Sequence, residues 1–297
     1  MALFQCFRQL KRVSRLARNC RKGDIPPPAR KGTVLTFVIN LDRDKARLKR
    51  VEALLFERDV AFTRVPAVDA RSLSPDAIAA ACAYPTPVSI RLQPGEIACY
   101  LSHIKAWRLL LDSEEDCAAI FEDDIDLSCD AAEVLSAIAD WMPEEADVVK
   151  LETSLKPIEM GRAPEAAIGD REIRRLAGCH IGTAGYVITR KGAARMLAES
   201  RQLRMAVDTT LFDPRGGVAE TLSLFQLSPA LCIQTRLQTS AEPASASNIS
   251  ERASHKSYGA TPGERLANRI RDRLAYACRK LRNFASGARP RVIDFAP

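Results

Sequence analysis

Histidine is scarce, with three residues in 297. So few imidazoles leave little from which to build the clustered metal centre of a phosphatase or nuclease, and they turn attention to carboxylates. Long apolar runs are also missing. None approaches the roughly 20 residues that a bilayer-crossing helix needs, and residues 1–23 lack the continuous apolar stretch of a secretory signal. The sequence therefore predicts a cytoplasmic chain that is not exported. The nine cysteines (Cys6, Cys20, Cys82, Cys99, Cys117, Cys129, Cys179, Cys232 and Cys278) are odd in number, scattered and never in a C-x-x-C pair. That pattern suggests neither a zinc knuckle nor a disulfide framework. Several lie in apolar surroundings, as Cys117 does, and read as buried free thiols of a reducing compartment. No internal repeat is present. What remains, 46% hydrophobic and 27% charged residues, is the composition of an ordinary globular protein.

The net charge of +7 is unevenly spread. Residues 1–32 hold nine Lys/Arg and one acid, and residues 251–297 hold eleven against four. Residues 33–250 reverse the balance, with 24 basic and 32 acidic side chains. An acidic body with basic ends is unlike a nucleic-acid-binding domain, whose positive charge lies across the fold itself. The expected organisation is a basic N-terminal segment (1–32), a folded domain (33–250) and a basic amphipathic tail (251–297). In the tail, Leu266, Ile270, Leu274, Cys278 and Leu281 share one helical face among Arg265, Arg269, Arg273, Arg279, Lys280 and Arg282, the pattern of a helix lying on an anionic membrane surface. Phe4, Phe7 and Leu10, with Arg8, Lys11, Arg12 and Arg15, repeat it less clearly. Two other readings compete: a helix packed on the protein's own core, and an organellar transit peptide at residues 1–23.

Along the chain, the β-branched run 33–39 predicts a buried strand ending at Asn40-Leu41-Asp42. A charged helix over 43–57 and a strand near 62–67 follow, the opening of an α/β domain with parallel strands. Pro94 and Glu96 begin a helix with Ile97, Leu101, Ile104, Trp107 and Leu111 on one face. Residues 117–121 and 147–151 read as strands, each followed by an acid. The polar stretch 153–171 reads as a surface loop. A strand through 182–189, a helix over 191–199, a short helix opened by Asp208 and strands at 222–227 and 231–233 complete the domain, and the Ser- and Ala-rich stretch 239–263 reads as flexible.

Glu122-Asp123-Asp124, directly after the strand 118–121, is the most informative feature. In an open α/β sheet ligands collect at the carboxyl ends of strands. Two carboxylates about 4 Å apart repel by about 4 kcal/mol at an effective dielectric near 20, so a cation, a basic side chain or a proton must offset them. A small set of hard oxygen ligands suits Mn²⁺ or Mg²⁺. The plain alternative is an acidic helix start over 123–130. Glu122 and Asp124, two apart on an extended segment, point the same way as metal ligands, and Asp123 points elsewhere.

Four ordered segments carry a family resemblance: Phe37-Val-Ile-Asn-Leu-Asp-Arg43, Pro94-Gly-Glu-Ile-Ala-Cys-Tyr-Leu-Ser-His-Ile104, Ala119-Ile-Phe-Glu-Asp-Asp124 and Gly182-Thr-Ala-Gly-Tyr-Val-Ile-Thr189. Weaker matches are Val207-Asp208 and Pro229–Gln234. Over about residues 33–250 the chain resembles glycosyltransferase family 25, the bacterial lipopolysaccharide and lipooligosaccharide galactosyltransferases whose eukaryotic relatives glycosylate collagen. It departs from the family at Ala98, where Gly is usual, and at Ala206, where Pro is common. The resemblance implies an α/β, GT-A-like nucleotide-sugar-binding fold with a mostly parallel central sheet. It also implies a UDP-sugar donor, typically UDP-galactose, a divalent metal and inverting transfer to a glycan or glycolipid acceptor. On that basis Asn40, Asp42 and Arg43 hold uridine and ribose, with Asp123 beside them. Gly182 and Gly185 allow close approach of donor or acceptor, and Asp208 is the general base, with Glu152 second. Arg47 and Arg50 read as the wet face of a helix, and His103 as a packing residue. The competing class is a non-catalytic nucleotide-sugar- or glycan-binding protein that kept the fold.

Overall fold

A computed structural model describes residues 34–82, 92–213, 217–238, 262–285 and 287–297. The N-terminal basic segment and the stretch 239–261 lie outside them.

The chain opens with β1 (Leu35–Asn40), buried along its whole length because its apolar residues face a packed layer on either side. Helix α1 (Lys45–Glu57) keeps only Val51 and Leu55 fully buried, and β2 (Thr63–Pro66) follows. After the short α2 (Pro75–Ala81) comes α3 (Pro94–Asp112). Proline supplies the first-turn φ of α3, and the Gln93 backbone N–H donates to Glu96 Oε2 at 2.9 Å. The sequence suggests one apolar face, yet thirteen of the nineteen residues of α3 are buried. Such a helix runs through the core and not along its surface.

Next come β3 (Cys117–Glu122), β4 (Ile125–Leu127), α4 (Ala131–Ser136), α5 (Ile138–Trp141), β5 (Val148–Lys150) and β6 (Glu152–Thr153). The expected loop at 153–171 is built instead from β6, β7 (Ile158–Met160) and β8 (Ala166–Ile168), with β9 (Arg171–Arg175) returning against β8. Strands of two or three residues are too short to carry a readable alternation. The domain continues with β10 (Gly185–Thr189), α6 (Arg190–Glu199), α7 (Val207–Phe212), β11 (Leu224–Ser228), β12 (Cys232–Gln234) and α8 (Thr235–Gln238).

The main sheet has the order β2-β1-β3-β10-β5-β11-β9-β8. The expected mostly parallel sheet is in fact mixed. Pairings β1–β2, β1–β3 and β5–β11 are parallel, while β3–β10, β10–β5, β11–β9 and β9–β8 are antiparallel. β10 causes the break, because it enters between β3 and β5 from the opposite end. Alternate residues of the central strands feed two apolar layers. Phe37, Ile120 and Tyr186 pack with Leu101, Ile104 and Trp107 of α3, whereas Val38, Phe121 and Val187 pack with Val51, Leu55 and Trp141. The seven described cysteines are free, with Cys82, Cys117 and Cys232 buried.

At the C-terminus, α9 (Pro262–Ala285) leads to β13 (Arg289–Arg291), which pairs antiparallel with β7. Thr153 Oγ1 donates to the Ile293 carbonyl at 2.6 Å, and the Ala230 N–H donates to the Asp294 carbonyl at 2.7 Å. Ile293 is fully buried, so residues 288–297 belong to the body of the domain. By contrast, Leu266, Ile270, Leu274 and Leu281 on α9 are each more than half exposed. Among the described residues, no helix is long and apolar enough to cross a membrane.

Candidate active site

The carboxyl ends of β1, β3 and β6, the N-terminal half of α3 and the start of α7 surround a cleft of about 680 Å³. Glu122, Asp123 and Asp124 line it where β3 ends in a tight turn before β4. The acidic run is therefore the exit of a core strand; the next helix starts only at Ala131.

Each of the three acids has a different environment. Asp123 accepts from Asn40 Nδ2 at 2.6 Å and from Arg47 at 3.0 Å. Burial still holds its carboxyl above the ordinary value, with Asn40 and Arg47 opposing. Arg50 donates to the carbonyls of Asp123 at 3.2 Å and Ile125 at 2.8 Å and pairs with Asp126. Both arginines, expected on a wet helix face, instead clamp the acidic turn. The period of α1 turns Arg47 and Arg50 toward the same end of β3, which no local pattern in 43–57 reveals.

Glu122 accepts from Thr183 Oγ1 at 2.6 Å and lies 3.5 Å from His103 Nε2. Burial alone would raise its carboxyl, but the contacts with His103 and Thr183 and the charge of Lys150 outweigh that and hold it low. Asp124 lacks such support. Its Oδ1 is buried without a hydrogen-bond partner, and Arg47 stands 3.9 Å from Oδ2. Burial, then the charge of Glu122, pushes Asp124 up to about 7. A buried, unmatched carboxylate beside a second one is a hard-oxygen donor set, and Mn²⁺ or Mg²⁺ fits it.

Glu152, at the start of β6, accepts from Lys150 Nζ and from the Ala184 N–H, each at 2.9 Å. Burial raises it, with Lys150 opposing. Gly182 adopts φ +123°, a backbone conformation that favours glycine, and a Cβ there would stand 2.9 Å from Glu152 Oε2. Gly185 does not reach the cleft. It lies in β10, where a Cβ would come within 2.3 Å of Cys232 Sγ, so its role is core packing. Asp208, in the first turn of α7, lines the cleft half-buried, with Oδ1 accepting from the Thr209 N–H at 2.7 Å. Arg43 lines the cleft and pairs with Asp69. Asp42 lies outside it, exposed and paired with Arg64 at 2.6 Å. Sequence reasoning missed Lys150, Thr183 and the exposed Lys156 and Arg236, which add positive charge to the cleft wall.

The family described as "Glycosyltransferase family 25 (LPS biosynthesis protein)" matches residues 34–211, more than half of the chain. The chain belongs to glycosyltransferase family 25. That stretch contains Asn40, the acidic run, Glu152, Gly182 and Asp208. A presumptive glycosyltransferase of Haemophilus influenzae is 30% identical over 200 residues, covering 67% of this chain and 69% of that protein. Human procollagen galactosyltransferase 2 is 30% identical over 182 residues, covering 57% of this chain and 28% of the human protein. The chain spans about half the length of the relatives it matches that are named for lipooligosaccharide and lacto-N-neotetraose biosynthesis. Among solved structures, a glycosyltransferase involved in glycosylation of the major capsid of PBCV-1 overlaps 68% of this chain and 92% of its own, with a TM-score of 0.37 and 8% identity. Membership of this family makes the chain a glycosyltransferase by family.

Proposed function

We propose that this family 25 glycosyltransferase transfers galactose, with inversion, from UDP-galactose to a lipopolysaccharide or lipooligosaccharide acceptor, on a GT-A-like fold and with a divalent metal. Asp124 carries the reading. A carboxylate with a buried oxygen left unbonded, next to Glu122, has a destabilising environment unless a proton or a cation joins it. A bound Mn²⁺ or Mg²⁺ would neutralise charge on the leaving diphosphate. The support for galactose is the name of the human relative, and for the acceptor the family description.

The chain's own residues have separable tasks. Glu122 and Asp124 hold the metal, while Asn40 and Arg47 fix Asp123 and with it the turn. Asn40, Arg43 and Asp123 face the nucleoside, and Gly182 lets donor or acceptor approach the backbone. Lys156 and Arg236 supply positive charge for phosphate. Asp208 takes the proton of the acceptor hydroxyl. Glu152 is the weaker candidate for that role, because Lys150 and the Ala184 N–H already occupy its Oε1.

Turnover of UDP-galactose with and without Mn²⁺, in the wild-type chain and in Asp208→Asn, tests the reading. Wild-type protein should hydrolyse the donor slowly and only with metal. Asp208→Asn should lose on the order of a hundredfold in transfer with donor affinity unchanged. Absence of any metal-dependent turnover would make the chain a binder. Equal loss of affinity and rate would move Asp208 into the nucleotide shell.

We further propose that α9 rests on the anionic inner face of the cell membrane. Its exposed leucines and isoleucine sit beside exposed Arg273 and Arg282, and each basic residue near such a surface contributes about 1 kcal/mol. Because Ile293 and β13 are built into the body, substitution is a cleaner test than truncation. Leu266→Glu/Ile270→Glu/Leu274→Glu should abolish sedimentation with anionic liposomes, and wild-type binding should weaken at high salt. Binding indifferent to both salt and substitution would refute the membrane role.

A further inference from the structure

Cys99 and His103 stand one helical turn apart on α3, so both side chains leave the same face. One ligand atom from each and one from the Glu122 carboxylate lie within 4.8 Å of one another, and all three residues line the cleft. His103 is fully buried, and its Nε2 makes no hydrogen bond although Glu122 Oε1 is 3.5 Å away. That separation is close to the roughly 3.4 Å between two ligands bonded at about 2.1 Å to one tetrahedral ion.

The imidazole is also held from behind. Nδ1 bonds the Tyr186 hydroxyl at 2.8 Å, and the same oxygen accepts from Trp107 Nε1 at 2.9 Å. An indole N–H can only donate, and the phenol oxygen has a second lone pair to take the Nδ1 proton. The Tyr186 O–H can instead donate to Nδ1, with Nε2–H then directed at Glu122; metal binding selects the tautomer in which Nδ1–H donates to Tyr186 and the Nε2 lone pair faces Glu122. A second hydrogen bond that fixes ring and tautomer is the usual support of a metal-bound histidine.

We propose that Cys99, His103 and Glu122 form a site for a thiophilic divalent cation, Zn²⁺ by its ligand chemistry, with the cleft side open to water. Thiolate and imidazole select zinc over manganese or magnesium, which prefer the all-oxygen pair of Glu122 and Asp124. The site stands on its own geometry and shares only Glu122 with the proposed Mn²⁺ or Mg²⁺ site. Occupancy by Zn²⁺ therefore engages one of the two carboxylates that the harder ion needs, and the two ions compete. Coordination takes Cys99 as thiolate and releases its proton to solvent.

Cobalt reports thiolate ligation directly. Co²⁺ titrated into the metal-free full chain should bind one equivalent with a near-ultraviolet thiolate-to-cobalt band, and Zn²⁺ should displace it. Cys99→Ser and Cys99→Ala should each abolish the band and weaken Co²⁺ binding at least tenfold, whereas Asp124→Asn should keep the band. Both Cys99 variants should show the wild-type unfolding transition without metal. No band in the wild type, or a band of equal intensity in either Cys99 variant, overturns the proposal. Mn²⁺-dependent turnover without a thiolate band would sink this site and leave the transferase reading standing. A thiolate band in a protein without turnover would do the reverse.

Discussion

Replacing Asp124 by Asn should remove Mn²⁺-dependent turnover and, at pH 8 without metal, make the protein more stable. The loss of turnover follows from losing a ligand to the diphosphate's counterion, worth about 3 kcal/mol, on the order of a hundredfold or more in rate. The gain in stability follows from the direction in which the fold moves this carboxyl. Asp124 is pushed from 3.8 up to about 7, with burial the main cause and Glu122 next. Between those values the folded chain holds a proton that the unfolded chain has released, so this group's contribution is full below about pH 4 and is lost as pH rises through 7. A tenfold change in proton affinity corresponds to about 1.4 kcal/mol, which sets an upper bound of about 4 kcal/mol. The amide carries no charge and escapes that loss. Thermal unfolding at pH 8 should show the variant several degrees above the metal-free wild type, with the difference shrinking toward pH 4. Mn²⁺ should stabilise the wild type and not the variant. A variant less stable than wild type at pH 8, or one that keeps Mn²⁺-dependent turnover, would remove Asp124 from the metal site.

A carboxyl that burial and a neighbouring charge push upward at the rim of the cleft is one the sequence can disclose. The strand 118–121 announces itself by composition, and three consecutive acids at its exit must be offset by a cation, a basic side chain or a proton, so Glu122-Asp123-Asp124 stands out from the sequence alone. Position at the end of β1 picks out Asn40, and the family resemblance picks out Asp208 at the start of α7; both line the cleft. Position says little where a residue's partner is remote. Arg47 looks like one of many helix-surface arginines, and only the crossing of α1 over β3 brings it to Asp123, 76 positions away. His103 reads as packing, which it is on its Tyr186 side, but nothing local shows that its other nitrogen opens toward Glu122. Gly185 misleads in the opposite direction. It shares a turn-like tetrapeptide with Gly182, yet β10 begins at Gly185, so one glycine borders the cleft and the other is sealed beneath Cys232. The mixed sheet is hidden for a related reason. Strand direction depends on which end of the sheet a connection enters, and the short strands between β5 and β10 give no periodic signal of a return.

Lys150→Met should be strongly destabilising. Lys150 ends β5 fully buried, and the β-branched run before it marks a strand without revealing that its charge points inward. Nζ donates to the Gly182 carbonyl at 2.5 Å and to Glu152 Oε1 at 2.9 Å, and it sits 3.8 Å above the Phe212 ring. Lys150 and Glu152, two apart on extended chain, share a face and neutralise each other there. Methionine fills the aliphatic stem but leaves Glu152 charged and only 3% exposed, with the Ala184 N–H still donating to it. Breaking a buried pair from one side costs about 3–5 kcal/mol. At about 2–4 °C per kcal/mol for a domain of this size, the melting temperature should fall by about 6–20 °C. The damage should extend to the cleft. With the Gly182 carbonyl released, Thr183 loses the register that brings its hydroxyl to Glu122 at 2.6 Å, so turnover should fall in the protein that remains folded. Adding Glu152→Gln removes the stranded charge while keeping an oxygen for the Ala184 N–H. The double variant should therefore recover at least half of the lost stability, a coupling that a double-mutant cycle measures directly. It should recover little turnover, because the Gly182 carbonyl is still unheld. A Lys150→Met protein that melts with the wild type would show that the pair is not ionised in the fold, and additive effects of the two substitutions would show that Glu152 is not the group Lys150 neutralises.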